Sequence, residues 1–177
     1  MLFWFAAKAK YQTEKKIKAY LDERSVENFI PFRKVMVIQN GKRVKKEKPV
    51  VSGLIFIRTD QVTVLSIANE SKTKFTYLRN LETQKLLTVP DKQMEDFMFL
   101  LRFSETAVQV DNAYLQKGDR VRVTHGEFAG IEGELIRIKG HKRVVVRLEG
   151  LFSLATTYIP SGYLEKVESG AKRSKQL

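Results

Sequence analysis

The sequence predicts an α+β protein in which an antiparallel sheet with helices is joined by a linker to a small all-β barrel. Residues 1–103 alternate between short β-type runs and segments with helical periodicity. Residues 117–167 contain only short β-rich runs separated by turns, most of them with glycine. Residues 104–116 lack both periodicity and basic residues, so they are predicted to be the linker.

The first region is predicted to open with a buried strand, LFWFAA at residues 2–7. A helix follows, in which Thr13 is placed as the N-cap, and its apolar face comprises Ile17, Tyr20 and Leu21. Two strands then flank Asn40-Gly41, a pair typical of a tight type I′ hairpin.

The next element, GLIFIR at residues 53–58, is too apolar for a half-exposed strand and is predicted to be central. Residues 60–70 predict a short helix and residues 74–78 another strand. Pro90 and Asp91 open a last helix, whose apolar face comprises Met94, Phe97, Met98 and Leu101. We expect the helices to pack mainly on one sheet face, leaving Leu54 and Phe56 to line a hydrophobic groove on the other.

The second region contains KGDRVRVTHGEFAGIEGEL at residues 117–135, in which Gly126, Gly130 and Gly133 fall among β-type residues. A phosphate-binding loop needs a following helix, and none is indicated here. The spacing instead predicts a strand, a turn through Gly126, Phe128 as a buried plug, and unusual backbone angles at Gly130. The basic tail 168–177 is predicted to be disordered.

The composition points to a polyanionic partner. Lys and Arg number 32 against 20 Asp and Glu, a net charge of +12, and residues 1–103 carry 20 of these cations against 11 acidic residues. The absence of cysteine excludes disulfides and thiolate metal sites. With no apolar run approaching the ~20 residues of a membrane span, we expect a cytoplasmic protein.

Catalytic chemistry is poorly supported. The only histidines, His125 and His141, each stand near a glycine at a predicted turn, where exposed histidine is the usual explanation. No carboxylates have metal-site spacing and no serine lies in a nucleophile elbow. We therefore expect no enzymatic activity, no cofactor and no metal.

Two basic clusters are the candidate nucleic-acid surfaces. Residues 8–18 contain five lysines against Glu14, with Tyr11 available to stack on a base. Residues 33–48 contain seven basic residues against Glu47, most of them on the arms of the predicted hairpin.

The order of these segments resembles the NusG-type transcription elongation factors. WFAAKAKYQTEKKIKAYL, NFIPFRKV, NGKRV, PVVSGLIFIR and VPDKQMEDFMFLL are similar to the N-terminal NusG domain, and VRVTHGEFAGIEGEL resembles a KOW motif. The residues that match the KOW motif are Val121, Val123, Gly126, Phe128, Gly130 and Gly133. The resemblance implies a NusG N-terminal-type domain at 1–103 and an SH3-like KOW barrel at 117–167.

One departure separates the chain from general NusG factors. Val51-Ser52-Gly53-Leu54 stands where those factors usually have Phe-Pro-Gly-Tyr. The difference indicates a specialised paralogue, similar to RfaH or to the UpxY-type antiterminators of capsular polysaccharide operons.

The resemblance also implies partners. The first domain would bind the clamp helices of the largest RNA polymerase subunit through a set that we call the apolar set: Val51, Leu54, Phe56, Tyr77, Met94 and Phe97. It would contact the non-template DNA strand through a basic set: Lys8, Lys10, Tyr11, Thr13, Lys16 and Lys72. The KOW domain would bind a second factor such as ribosomal protein S10 or Rho. The alternative is a KOW-containing ribosomal or other RNA-binding protein, without affinity for polymerase.

Overall fold

The structure, a computed structural model, describes residues 1–10, 12–71, 75–102, 108–110, 118–138, 140–148 and 151–167. The chain divides into two compact units, Met1–Leu101 and Arg102–Leu177, which we call unit 1 and unit 2. No helix in the part of the chain that is described is long and apolar enough to cross a membrane.

Unit 1 is mixed α and β. Its strands are β1 (Phe3–Ala9), β2 (Glu27–Phe29), β3 (Phe32–Gln39), β4 (Lys42–Pro49), β5 (Leu54–Thr59), β6 (Phe75–Tyr77) and β7 (Thr88–Val89). Its helices are α1 (Glu14–Glu23), α2 (Thr63–Glu70) and α3 (Asp91–Arg102), the last of which runs one residue past the unit boundary. The strands and helices predicted for residues 1–103 are confirmed, and the short strands β2 and β7 are additions.

An antiparallel sheet forms the centre of unit 1, with the order β2-β5-β1-β6 and with β7 also paired to β1. The central position predicted for residues 53–58 is confirmed, because β5 pairs with β2 on one side and β1 on the other. Four successive β5 residues are buried, Leu54 through Ile57, as expected of a strand covered on both faces.

Helices cover both faces of this sheet. Ile55 and Ile57 pack in one core with Ile17 and Leu21 of α1 and with residues of α2. Side chains alternate along a strand, so Phe56 points the other way, where its ring lies 5.7 Å from that of Phe97 on α3. The expectation that one face lacks helical cover is therefore wrong, because α3 occupies that face.

The hairpin of β3 and β4 is a two-stranded sheet of its own. Its strands pair over their full length, from Phe32 opposite Pro49 to Gln39 opposite Lys42. The turn residues Asn40 and Gly41 have φ of +50° and +73°. Two successive positive φ values are those of a type I′ turn, so the predicted turn type is confirmed.

The hydrogen bonds at the starts of α1 and α2 differ from the side-chain cap predicted at Thr13. Thr13 occupies the N-cap position, but its side chain makes no capping bond, and its hydroxyl instead donates to the Lys10 carbonyl at 2.6 Å. At α2, Asp60 Oδ1 accepts from the Val62 and Thr63 amides at 2.8 and 2.9 Å, and Thr63 Oγ1 donates to Asp60 Oδ2 at 2.7 Å. The Asp60 carboxylate thus satisfies amides at the start of a helix that is otherwise β-branched at several positions.

Unit 2 contains an antiparallel sheet of six strands in the order β13-β9-β10-β11-β12-β8. The strands are β8 (Val108–Val110), β9 (Arg120–Val123), β10 (Glu132–Ile138), β11 (His141–Leu148), β12 (Phe152–Ala155) and β13 (Leu164–Lys166), with a short 3₁₀ helix at Ser161–Tyr163. The short β-rich runs predicted within residues 117–167 form the strands β9 to β13. The buried run Val144, Val145 and Val146 places β11 in the core.

The segment predicted as a linker is partly structured. Val108–Val110 form β8, which pairs antiparallel with β12. Sequence patterning misses this strand because three residues are too few to establish a period of two. The remaining positions of residues 104–116, and the tail 168–177, lie outside the described residues.

Candidate functional site

Four of the six residues in the apolar set lie on the α3 side of the unit 1 sheet. Leu54, Phe56, Met94 and Phe97 are all buried there, each at 3% exposure or less. Phe29 joins them, with its ring 5.9 Å from that of Phe97 and perpendicular to it. These side chains form a closed aromatic core between sheet and helix, which corrects the expectation of an open groove lined by Leu54 and Phe56.

The other two members of the apolar set, Tyr77 and Val51, do not lie in this core. Tyr77 is buried on the opposite face, with its ring 6.1 Å from that of Phe5. Burial raises the pKa of the Tyr77 hydroxyl, which has no hydrogen-bond partner among the described residues. Val51 lies half-buried in the turn before β5, the most accessible position of the six.

The turn that departs from the general NusG pattern is tied to both β1 and α1. Gly53 has φ of +74°, and its carbonyl accepts from the Ala9 amide at 2.7 Å. Its amide donates to Glu14 Oε1 at 2.8 Å, and Lys8 Nζ donates to the Ser52 carbonyl at 2.5 Å. The turn therefore connects the neighbourhood of Val51 with the start of the basic set.

Glu14 is the functional candidate that sequence reasoning missed. It is 3% exposed, and it holds the turn by accepting from the Gly53 amide. The sequence does indicate this burial, because Glu14 stands three residues before Ile17 and seven before Leu21. That spacing places it on the buried face of α1. A carboxylate on an apolar helical stripe indicates a buried partner rather than a solvated charge.

The basic set is only partly engaged with the rest of the protein. Lys10 and Lys16 are exposed and make no ion pair with any described residue, whereas the Lys8 ammonium is held at the turn. Thr13 is half-buried and bonded to the Lys10 carbonyl. Tyr11 and Lys72 lie outside the described residues.

The other two lysines of α1 are paired. Lys15 Nζ lies 3.6 Å from Glu47 on the hairpin and 5.9 Å from the centre of the Phe32 ring. Lys18 Nζ lies 3.1 Å from Asp22, whose pKa is lowered first by the hydrogen bond from Asn28 and then by that from Lys18. An open cavity of about 390 Å³ lies between α1 and the base of the hairpin, lined by Lys15, Lys18, Ala19, Asp22, Phe32 and Glu47.

Arg58 links three elements on the α3 side. Its guanidinium lies 3.1 Å from Glu27 of β2 and 3.4 Å from Asp91 at the start of α3. The same group lies 5.8 Å from the centre of the Trp4 ring. The hydrogen bond to Glu27 raises the pKa of Arg58, and the ion pair with Asp91 connects the start of α3 to the sheet.

In unit 2 the glycine stretch forms structural turns. Val121, Val123 and Phe128 are buried, and the prediction of Phe128 as a buried plug is confirmed. Gly126 and Gly130 have φ of +84° and +92°, a region that side chains with a Cβ rarely adopt. Gly133 pairs opposite Val121 within the sheet.

The two histidines are exposed, as predicted. His125 lies beside Tyr163 and His141 beside Tyr158, with ring centroids 5.4 and 5.9 Å apart. The described residues contain no group of three or more His, Cys, Asp or Glu side chains that could hold a metal ion.

Comparison with known protein families finds a family model that matches this chain. Residues 2–98 match the family model described as "Transcription termination factor nusG", more than half of the 177-residue chain. The matched span runs from the residue before β1 into α3. No curated protein matches the chain.

Two solved structures are similar over nearly the whole length. "Domain interaction in Thermotoga maritima NusG" has 17% identity and a TM-score of 0.43, and the match covers 95% of this chain and 98% of that one. "Crystal Structure of MjSpt4:Spt5 complex conformation B" has 15% identity and a TM-score of 0.28, covering 94% and 98%. With both TM-scores below 0.5, the assignment follows from the family model: the chain belongs to the NusG family of transcription factors.

Proposed function

We propose that this protein is a specialised elongation and antitermination factor that binds the RNA polymerase clamp and suppresses pausing or termination. The observation that carries the proposal is the NusG family match, which spans unit 1 except for Met1 and the end of α3. The mechanism is mechanical, since holding the clamp closed disfavours the paused state without covalent chemistry. No enzymatic activity or cofactor is part of the proposal, and the protein would act in the cytoplasm.

Unit 1 would make the polymerase contact around the turn before β5. Val51 is its accessible apolar side chain, while Leu54, Phe56, Met94 and Phe97 act from the core by setting the shape of this end of the unit. Tyr77, on the opposite face, has a supporting role in the other core. The paired Glu14 and Gly53 would keep the turn in one conformation for binding.

The neighbouring basic set would hold the displaced DNA strand. Lys10 and Lys16 are the cations best placed for this, because no described carboxylate neutralises them. Lys8 anchors the turn through the Ser52 carbonyl. The apolar contact at Val51 would therefore lie beside the cationic contact made by the basic set. Tyr11 and Lys72 belong to the same proposal on the ground of their positions in the sequence.

Unit 2 would act as the KOW domain and recruit a second factor such as ribosomal protein S10 or Rho. The support is the buried valine and phenylalanine pattern at Val121, Val123 and Phe128, with positive φ at the glycines between the strands. The Val-Ser-Gly-Leu turn supports assignment to the specialised paralogues, and polysaccharide operons would be their target.

Pause lifetimes measured with the purified cognate polymerase test this function. The full chain should shorten pauses and increase read-through of a terminator on a template that contains both. A variant with Lys10→Gln and Lys16→Gln should lose most of this effect while retaining the wild-type melting temperature. Unchanged pause lifetimes and read-through at saturating protein would contradict the proposal.

A further inference from the structure

The hairpin of β3 and β4 has two faces of different chemistry. Directly opposite residues share a face, and same-face residues alternate along each strand. One face, which we call the valine face, carries Arg33, Val35, Val37, Gln39, Lys42, Val44, Lys46 and Lys48. The other, the methionine face, carries Phe32, Lys34, Met36, Ile38, Arg43, Lys45, Glu47 and Pro49.

The valine face has the larger net positive charge. It holds four cations and no carboxylate, whereas the methionine face holds three cations and Glu47, which Lys15 of α1 approaches at 3.6 Å. Arg33 lies directly opposite Lys48, an arrangement that destabilises a free sheet by like-charge repulsion. All four cations are exposed, and none makes an ion pair with a described residue. A polyanion would remove this repulsion.

We propose that the valine face is a second nucleic-acid surface and that its ligand is double-stranded DNA. A two-stranded ribbon fits the major groove of B-DNA, which is ~12 Å wide, whereas the major groove of A-form RNA is too narrow for side chains to read. The cations extend from Lys48 to Lys42, a length of about 20 Å at ~3.4 Å per residue. That length spans several phosphates, since duplex DNA carries one charge per ~1.7 Å.

The composition of the hairpin disfavours a single strand as the ligand. Binding of single-stranded nucleic acid depends on aromatic platforms on which bases stack. Residues 33–48 contain no aromatic residue. Phe32, at the base of the hairpin, is half-buried, packs against the unit 1 core and lies on the methionine face. The valines between the cations offer instead small apolar contacts of the kind that thymine methyl groups accept.

Titration of the full chain with a labelled 20-base-pair DNA duplex at several salt concentrations tests the assignment. Replacing Lys46 and Lys48 with Gln should flatten the log–log salt dependence of affinity by about 1.8, from ~0.9 per phosphate contact. Replacing Arg43 and Lys45 with Gln is the matched control, because it removes two cations of the same strand from the methionine face. The control should flatten the slope by less than half as much.

Two further arms make the outcome decisive. Lys46→Arg with Lys48→Arg keeps the charge and should preserve the slope, which separates charge from any effect on folding. A duplex RNA of the same sequence should bind more weakly than the DNA. Equal effects of the two Gln pairs, tighter binding of the RNA, or no duplex binding at low salt would overturn the assignment. None of these measurements involves polymerase or single-stranded DNA, so they stand apart from the proposed function.

Discussion

At Gly53 the backbone leaves no room for a side chain. Its φ is +74°, and a Cβ built there would lie 2.5 Å from the Ala9 carbonyl oxygen, a backbone atom that cannot rotate away. At Gly41, with φ of +73°, a Cβ would meet nothing within 4 Å. The two glycines therefore share the conformational demand but differ in the space around them.

Replacing each with alanine separates the two effects. Gly41→Ala should destabilise the protein only by the left-handed conformation, ~1–2 kcal/mol. Gly53→Ala should cost at least ~1 kcal/mol more, because β1 or the turn must shift and the hydrogen bond from the Gly53 amide to Glu14 weakens. Urea unfolding of the full chain measures both. Equal losses for the two variants would show that the turn is not packed against β1 as described.

Asp60 makes the stability of α2 depend on pH. Hydrogen bonds from the Thr63 hydroxyl, then from the Thr63 and Val62 amides, lower its pKa from 3.8 to about 2. A carboxyl with a lowered folded-state pKa stabilises the fold above its unfolded value and loses that contribution as pH falls through the folded value. The contribution should thus be complete above about pH 5, well above the unfolded value, and should decline as pH falls toward 2.

Comparison of the wild type with Asp60→Asn checks this linkage. The difference in their unfolding free energies should be constant above pH 5 and shrink steadily between pH 4 and pH 2. Thr63→Val, which removes the hydroxyl donor, should move that decline to higher pH. A wild-type-to-Asn difference that is independent of pH would contradict the assigned role.

At the scale of elements, α1 and the residues just before it carry paired and unpaired lysines that can be compared directly. Lys15 and Lys18 lie near Glu47 and Asp22, whereas Lys10 and Lys16 have no such partners among the described residues. Replacing Lys10 and Lys16 with Gln should flatten the salt dependence of single-stranded DNA binding by about 1.4, from ~0.7 per contact.

Lys15→Gln with Lys18→Gln provides the control with the same change in charge. Its effect on the slope should be smaller, because those ammonium groups are already partly neutralised. Anisotropy titrations with a labelled oligonucleotide at several salt concentrations give both slopes. A larger effect of the control pair would place the DNA contact on the side of α1 that faces the hairpin.

Local sequence patterns predict the helices, strands and turns better than they predict how these elements pack together. The type I′ turn follows from Asn40-Gly41, and the buried strand β5 from its unbroken apolar run, since both are properties of a few adjacent residues. The helix periodicity of α3 was also visible, but not the sheet face that it covers. That choice depends on long-range ring contacts of Phe97 with Phe29 and Phe56, which no local pattern encodes.

The same limit applies to the candidate site. The exposed Lys10 and Lys16 agree with their prediction as surface cations, because a lysine-rich stretch of sequence is a local property. The apolar set was predicted as one surface, yet Tyr77 and Phe56 lie on opposite faces. The alternation of side chains along each strand can be predicted from the sequence. The register in which the strands pair cannot.

At the scale of the whole molecule, the proposed function requires unit 1 to contact polymerase beside the turn before β5. Aspartate substitutions at Leu54 or Phe56 cannot probe this contact cleanly, since both residues are buried and a charge there would destabilise the fold. Val51 is half-buried in the turn and offers a milder probe. Val62, 87% exposed before α2, supports a matched valine-to-aspartate control.

Binding of the full chain to purified cognate RNA polymerase, in parallel with ribosomal subunits and a structured RNA, is the most direct test. The account predicts binding to polymerase, at least a tenfold loss for Val51→Asp at an unchanged melting temperature, and no loss for Val62→Asp. Binding to ribosomal subunits or structured RNA without affinity for polymerase would contradict it and would favour a KOW-containing RNA-binding protein.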